Sequence, residues 1–241
     1  MVTEIAGTGT AEATWLGWAA MTRWPVLPLE PGPRPPLVVA PHPDDEILGV
    51  AGLMATLGAV ELVAVTDGEA SHPGSTVYTP ERLAAVRREE TAEAMARLGL
   101  GHSAVHRLAQ PDGHIDEARL ADELATRLTA GQWCLATWRG DGHPDHEAVG
   151  RAAAEACART GARLLEYPIW TWHWAEPDDP RVPWDRARRI PLTPEAVAAK
   201  QAAIEAFPSQ IHPLGPDPAD AAILPPHILA RFARSFEVVL A

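Results

Sequence analysis

The chain has 241 residues, 46% hydrophobic and 22% charged, the balance of a soluble globular protein long enough for one domain with a substantial core. A formal net charge of −12 repels phosphate backbones and anionic bilayers, so nucleic acid is excluded as an expected partner. Cys134 and Cys157 are the only cysteines. No basic, apolar leader opens the chain, and no segment approaches the roughly 20 apolar residues of a membrane span. A reducing, cytoplasmic setting is therefore expected.

In chain order, residues 11–24 read as a short amphipathic helix with Thr10 as N-cap. A proline-rich connector, Pro25 to Pro36, cannot be helical and leads into LVVA (37–40), an apolar run of the kind found in buried parallel strands. The sequence PHPDDE follows at once, then a glycine-containing helix. VELVAVT (60–66), SAVHRL (103–108), WCLATW (133–138) and RLLEYPIW (163–170) read as further strands. Helical stretches fall between them over Pro80–Leu98, 116–130 and 146–160. A last helix near 194–206 and a strand, FEVVL (236–240), complete the reading. Such alternation predicts an α/β fold: a Rossmann-like three-layer sandwich with a mostly parallel sheet and its site at the C-terminal ends of the strands. No domain boundary is evident, so residues 1–241 are read as one domain.

Two strand ends carry the chemistry. His42-Pro43-Asp44-Asp45-Glu46 follows the first strand, and His143-Pro144-Asp145-His146 follows the fourth. A single His-Pro-Asp is ordinary turn chemistry, but two copies that an open sheet brings side by side form a divalent-metal site. His42 and Asp45, three residues apart, suit one ion, and either His143 or His146 supplies a third donor. Asp44 is then free to take a proton from an attacking water. The remaining imidazole can donate to a developing oxyanion, with Asp145 orienting it and favouring its charged form. Glu46 reads as a helix N-terminal residue. Trp170, Trp172 and Trp174 alternate as in a strand, either as core or as an aromatic wall for a sugar. No G-x-G-x-x-G follows the first strand, so a dinucleotide site is excluded despite the layout.

Pro41 to Glu46 with Gly49, together with Asp141-Gly142-His143-Pro144-Asp145-His146, resembles the PIG-L/LmbE-like family of zinc-dependent N-deacetylases. The resemblance runs over about residues 37–160 and weakens beyond Tyr167, which implies a variable, substrate-determining part over 167–241 after an N-terminal helix and connector over 1–36. It implies His42, Asp45 and His146 as ligands of one Zn2+, Asp44 as general base, and His143 as the free imidazole with Asp145 behind it. It also implies substrate contacts at Arg87, in an R-x-x-E helix with Glu90, and at Asp112. The expected activity is removal of an N-acetyl or related N-acyl group from an amino sugar or sugar-bearing metabolite, including those of secondary metabolism. A two-ion phosphoesterase and a non-catalytic, metal-stabilised sugar-binding module are the competing readings. The Trp-rich and Pro-rich segments are compatible with a homo-oligomer.

Overall fold

Short apolar runs bounded by turn residues become the inner strands of one sheet. The computed structural model describes residue 5 and residues 7–241. Among them are seven strands: β1 (Leu37–Ala40), β2 (Glu61–Ala64), β3 (Val105–Arg107), β4 (Trp133–Thr137), β5 (Arg163–Tyr167), β6 (Ala187–Pro191) and β7 (Phe236–Leu240). Their order is β3-β2-β1-β4-β5-β7-β6. β1 to β5 run parallel, and β7 lies antiparallel to both β5 and β6. The helices are α1 (Glu12–Gly17), α2 (Asp45–Leu57), α3 (Pro80–Arg97), α4 (Glu117–Arg127), α5 (Pro144–Thr160), α6 (Thr171–Trp174), α7 (Pro194–Ile204), α8 (Pro208–Ile211) and α9 (Pro226–Leu229).

Strand alternation sorts the core into two layers. Leu37 and Val39 of β1 face the cluster built with α4 and α5, while Val38 and Ala40 face the one built with α2. The direction of strand succession reverses between β1 and β4, the neighbours at the centre of the sheet. That is the topological switch point, where open α/β sheets place their ligands. Both His-Pro-Asp turns leave the sheet there.

Several expectations are corrected. The N-terminal helix is shorter, covering Glu12–Gly17, with a single 3-10 turn at Met21–Arg23. Its N-cap position is held by Ala11, because the Thr10 hydroxyl instead donates to Ala175 O at 2.6 Å. The fifth strand stops at Tyr167: the amides of Ile169, Trp170 and Thr171 all donate to the Asp141 carboxylate, which draws the chain out of the sheet. The tryptophans that follow therefore lie on a helical turn, not on one strand face. Arg-rich β6 escaped the sequence reading altogether. Its edge is bridged by Val26 of the proline-rich connector, and Leu27 N–H donates to Arg189 O at 2.8 Å.

The N-terminal segment is fastened by aromatic packing. Trp15 is fully buried, its indole N–H donates to Trp172 O at 2.9 Å, and its ring meets those of Trp18, Trp172 and Trp184 in tilted and edge contacts. Truncating it opens a large cavity. Trp15→Ala is expected to lower the unfolding free energy by about 3–5 kcal/mol, measured by equilibrium denaturant unfolding.

Candidate metal centre

The turn after β1 is held in a conformation that few residues tolerate. Asp44 has φ 126°, a backbone state that costs a non-glycine residue about 1–3 kcal/mol. Arg87 of α3 braces it. One of its terminal nitrogens donates to Asp44 Oδ2 at 3.0 Å and to Pro43 O, and the other donates to Gly68 O at 3.0 Å. Gly68, with φ +66°, is required because any Cβ there would collide with the guanidinium. Burial lifts the Asp44 carboxyl to about 7 against the pull of Arg87. Glu46 is fully buried behind this turn, accepts the Asp44 N–H at 3.3 Å, and is pushed by burial to about 8.

Asp45 opens α2 and sits between two imidazoles. Its Oδ2 accepts the His42 N–H at 3.0 Å and lies 3.2 Å from His42 Nδ1 and 3.3 Å from His146 Nε2. One ligand atom from each of His42, Asp45 and His146 falls within 4.8 Å of the others. His146 Nε2 is buried and lies against Asp45 Oδ2 without forming a hydrogen bond, a costly arrangement for a polar atom that a bound cation would relieve. Two nitrogens and a carboxylate oxygen form the donor set of a catalytic zinc-type site, which keeps a position for water. The outer nitrogens are secured as metal-bound histidines require. His146 Nδ1 lies 2.8 Å from Asp141 Oδ2, and His42 Nε2 lies 3.0 Å from Asp145 Oδ2 and 3.2 Å from Asp112 Oδ1. The residues present fit a divalent cation.

A second group, His42, His143 and Asp145, also gathers within 4.8 Å, but its carboxylate and one His143 nitrogen are already engaged. Asp145 Oδ2 accepts the Gly113 N–H at 2.8 Å besides facing His42, and His143 Nδ1 accepts the Asp145 N–H at 3.2 Å. His143 is thus the N-cap of α5.

Several expected roles change. The Asp145 carboxylate stands behind His42, not behind His143, because His143 turns its Nδ1 to cap the helix. The ring proton of His143 is left on Nε2. Burial, with His146 and His42 nearby, pushes its pKa down to about 3, so the ring is neutral rather than charged. Arg87 is 2% exposed and engaged with the Asp44 turn, so it braces the site from below and does not face a substrate. Asp112 is tied to His42 through Oδ1 and accepts the Ala70 N–H at 2.9 Å through Oδ2.

Asp141 was given no role from sequence. Its fully buried carboxylate meets His146, accepts three backbone amides, and accepts the Thr171 hydroxyl at 2.5 Å. Trp174 Nε1 donates to its carbonyl at 2.7 Å. Its place two residues before His143 in the second motif was the available signal. The tryptophans divide accordingly: Trp172 is core, while Trp170 and Trp174 are half-buried beside the second turn.

A three-donor cation site with an adjacent free carboxylate, at the switch point of a Rossmann-like sheet, defines a metal-dependent hydrolase of the α/β class. Comparison with protein families gives a match to the PIG-L family, described as GlcNAc-PI de-N-acetylase, over residues 37–157. The chain belongs to that family. Among solved structures it is similar to a conserved protein from Thermus thermophilus, 29% identical over 73% of this chain and 79% of the other, with a TM-score of 0.54. It also resembles the N,N'-diacetylchitobiose deacetylase from Pyrococcus horikoshii, 22% identical over 75% of this chain and 70% of that one, TM-score 0.56. A third similar structure is the teicoplanin deacetylase Orf2 in its zinc-inhibited form, 20% identical over 74% and 85%, TM-score 0.54. The latter two share the fold. No curated protein sequence matches the chain.

Asp141→Asn sets an amide NH2 against backbone donors that now meet a carboxylate. The substitution is expected to cost about 1–3 kcal/mol, read by denaturant unfolding, and to shift the tryptophan fluorescence of the 170–174 turn.

Proposed function

We propose that this chain is a zinc-dependent hydrolase that binds one ion through His42, Asp45 and His146 and removes an N-acetyl or related N-acyl group from an amino sugar or sugar-bearing metabolite. The observation that carries the reading is the convergence of His42, Asp45 and His146, whose ligand atoms lie within 4.8 Å of one another around a buried His146 Nε2 that makes no hydrogen bond, with Asp44 beside them and outside the donor set. Family membership supports the amide chemistry. Two similar structures are deacetylases by name, one of N,N'-diacetylchitobiose and one in teicoplanin biosynthesis, and they support a sugar-bearing substrate that includes secondary metabolites. The two donor groups share His42, which favours one ion over the two-ion arrangement of a phosphoesterase.

When bound, the cation supplies Lewis-acid polarisation of the acyl carbonyl and acidifies the attacking water. The remaining work falls to side chains. Asp44, fixed by Arg87, takes the proton of the water as oxygen adds to the acyl carbon. His143, with Nδ1 committed to the Asp145 N–H, presents Nε2–H to the developing oxyanion as a neutral donor. Asp44 returns its proton to the departing nitrogen as the C–N bond breaks, leaving a carboxylic acid and a free amine. Asp112 and Asp145 hold His42, and Asp141 holds His146. The part after Tyr167, whose α7 packs on α2, determines the acceptor, and the whole chain acts as one domain. Cys134 and Cys157 are buried thiols, in keeping with a cytoplasmic enzyme.

The test is acetate release across a panel of N-acetylated amino sugars and glycoconjugates, with and without a chelator. Activity is expected to vanish on metal removal and return with one equivalent of Zn2+. Asp44→Asn is expected to retain one ion per chain by elemental analysis while turnover falls about 10²- to 10⁴-fold; turnover at the wild-type level would rule out Asp44 as the base. His42→Ala is expected to lose the ion itself. Binding of N-acetyl sugars by metal-loaded protein without any acetate release would favour the binding-module reading.

A further inference from the structure

The helix that opens with Asp45 is not continuous. Val50 has φ −140° and ψ 17°, which breaks α2. In an unbroken helix Gly52 N–H would donate to Leu48 O. Here a buried ion pair stands inside that bond. Gly52 N–H donates to Glu237 Oε1 at 2.8 Å, Lys200 Nζ donates to the same oxygen at 2.8 Å, and Lys200 Nζ also donates to Leu48 O at 2.7 Å. Leu53 N–H donates to Glu237 Oε2 at 2.8 Å. Lys200 is 4% and Glu237 3% exposed.

We propose that the Lys200–Glu237 pair is a positioning device for the metal-binding turn: by holding α2 broken at Val50, it sets where Asp44 and Asp45 stand. The inference rests on the functional reading above. Stability alone does not explain the pair. A continuous helix would satisfy the same backbone groups without burying two charges, whose desolvation costs several kcal/mol before they attract each other. The break instead lets two segments of α2 seat on different surfaces. The first turn approaches Tyr167 so closely that Gly49 has no room for a Cβ, and Tyr167 OH donates to Val39 O at 2.7 Å, tying that contact to β1. Beyond the break, Gly52 lies against Leu192, where a Cβ would stand 2.5 Å from Cδ1. Side chains inserted into a helical ladder are a recognised cause of such bends. Lys200 belongs to α7 and Glu237 to β7. Both lie beyond residue 157, where the family match ends, so the part of the chain outside that match reaches the first motif through this pair.

The decisive variant is Lys200→Met with Glu237→Leu, which removes both charges together and leaves neither uncompensated. Two readouts apply: amide hydrogen exchange across residues 45–53 in metal-free protein, and Co2+ titration followed by visible absorption. Expected are exchange of the 45–49 amides about tenfold faster or more, Co2+ affinity about 10–100-fold weaker, and shifted cobalt bands, as for changes behind metal ligands, while β1 and β4 amides exchange as in wild type. Wild-type exchange at 45–49 with unchanged cobalt bands, in a folded double variant, overturns the inference. If the double variant fails to fold, Glu237→Gln keeps the shape and an acceptor oxygen. Faster exchange at 45–49 there supports the inference, and unchanged exchange overturns it. A wild-type chain that takes up no Co2+ overturns the metal reading, and the exchange comparison still decides the positioning claim.

Discussion

Charges withdrawn from water must be compensated within hydrogen-bond distance, and the end of this sheet buries an unusual number of them. Asp44, Asp45, Asp141, Asp145, His146 and Arg87 are all buried around the two turns. Each is fixed by a partner: Arg87 on Asp44, Asp141 on His146, Asp145 on His42. Uncompensated, any of these groups would shift its protonation or open the fold. The requirement explains why so much of the surrounding structure is spent on orienting side chains. What it leaves over is the inner face of His42, Asp45 and His146, where negative charge and lone pairs converge on a point that a divalent cation fits.

The sheet topology makes this convergence possible. β1 and β4 are neighbours only because the chain first winds outward through β2 and β3 and then returns to the centre. Turns separated by about a hundred positions thereby face each other across one crevice. Asp141 then joins the second turn to the segment after β5, and Tyr167 joins β5 to β1. The C-terminal elements close the frame from the other side, through α7 and β7 against the break in α2.

The parallel strands and both motifs were legible because each rests on local information: apolar runs of strand length, and polar turns at their ends. β1 and β7 were read with the bounds that the structure has. Asp141 was visible as a letter but not as a role, since its partners at 169–171 are set by tertiary proximity. The same interaction defeated the strand reading of Trp170, Trp172 and Trp174, because amides captured by a carboxylate cannot join a ladder. Arg87 entered only as a substrate contact implied by the resemblance, and only the Asp44 turn makes its burial sensible. Lys200 and Glu237 carry no sequence signal: a lysine and a glutamate 37 positions apart reveal nothing until two elements bring them to one helix break.

The doubled motif ends as two unequal halves. In the first, the imidazole and the second aspartate point inward and the first aspartate stands apart, strained and braced. In the second, His146 points inward, while His143 caps its own helix and Asp145 supports the opposite turn. The inequality is carried by hydrogen bonds to the backbone and to outer ring nitrogens, so it can be observed directly. The most direct measurement is an anomalous difference map at the zinc edge from crystals of the zinc-loaded protein. A single peak bounded by His42 Nδ1, Asp45 Oδ2 and His146 Nε2, with His143 outside the coordination sphere, is the expected result. A peak between His42 Nε2, His143 and Asp145 would contradict it.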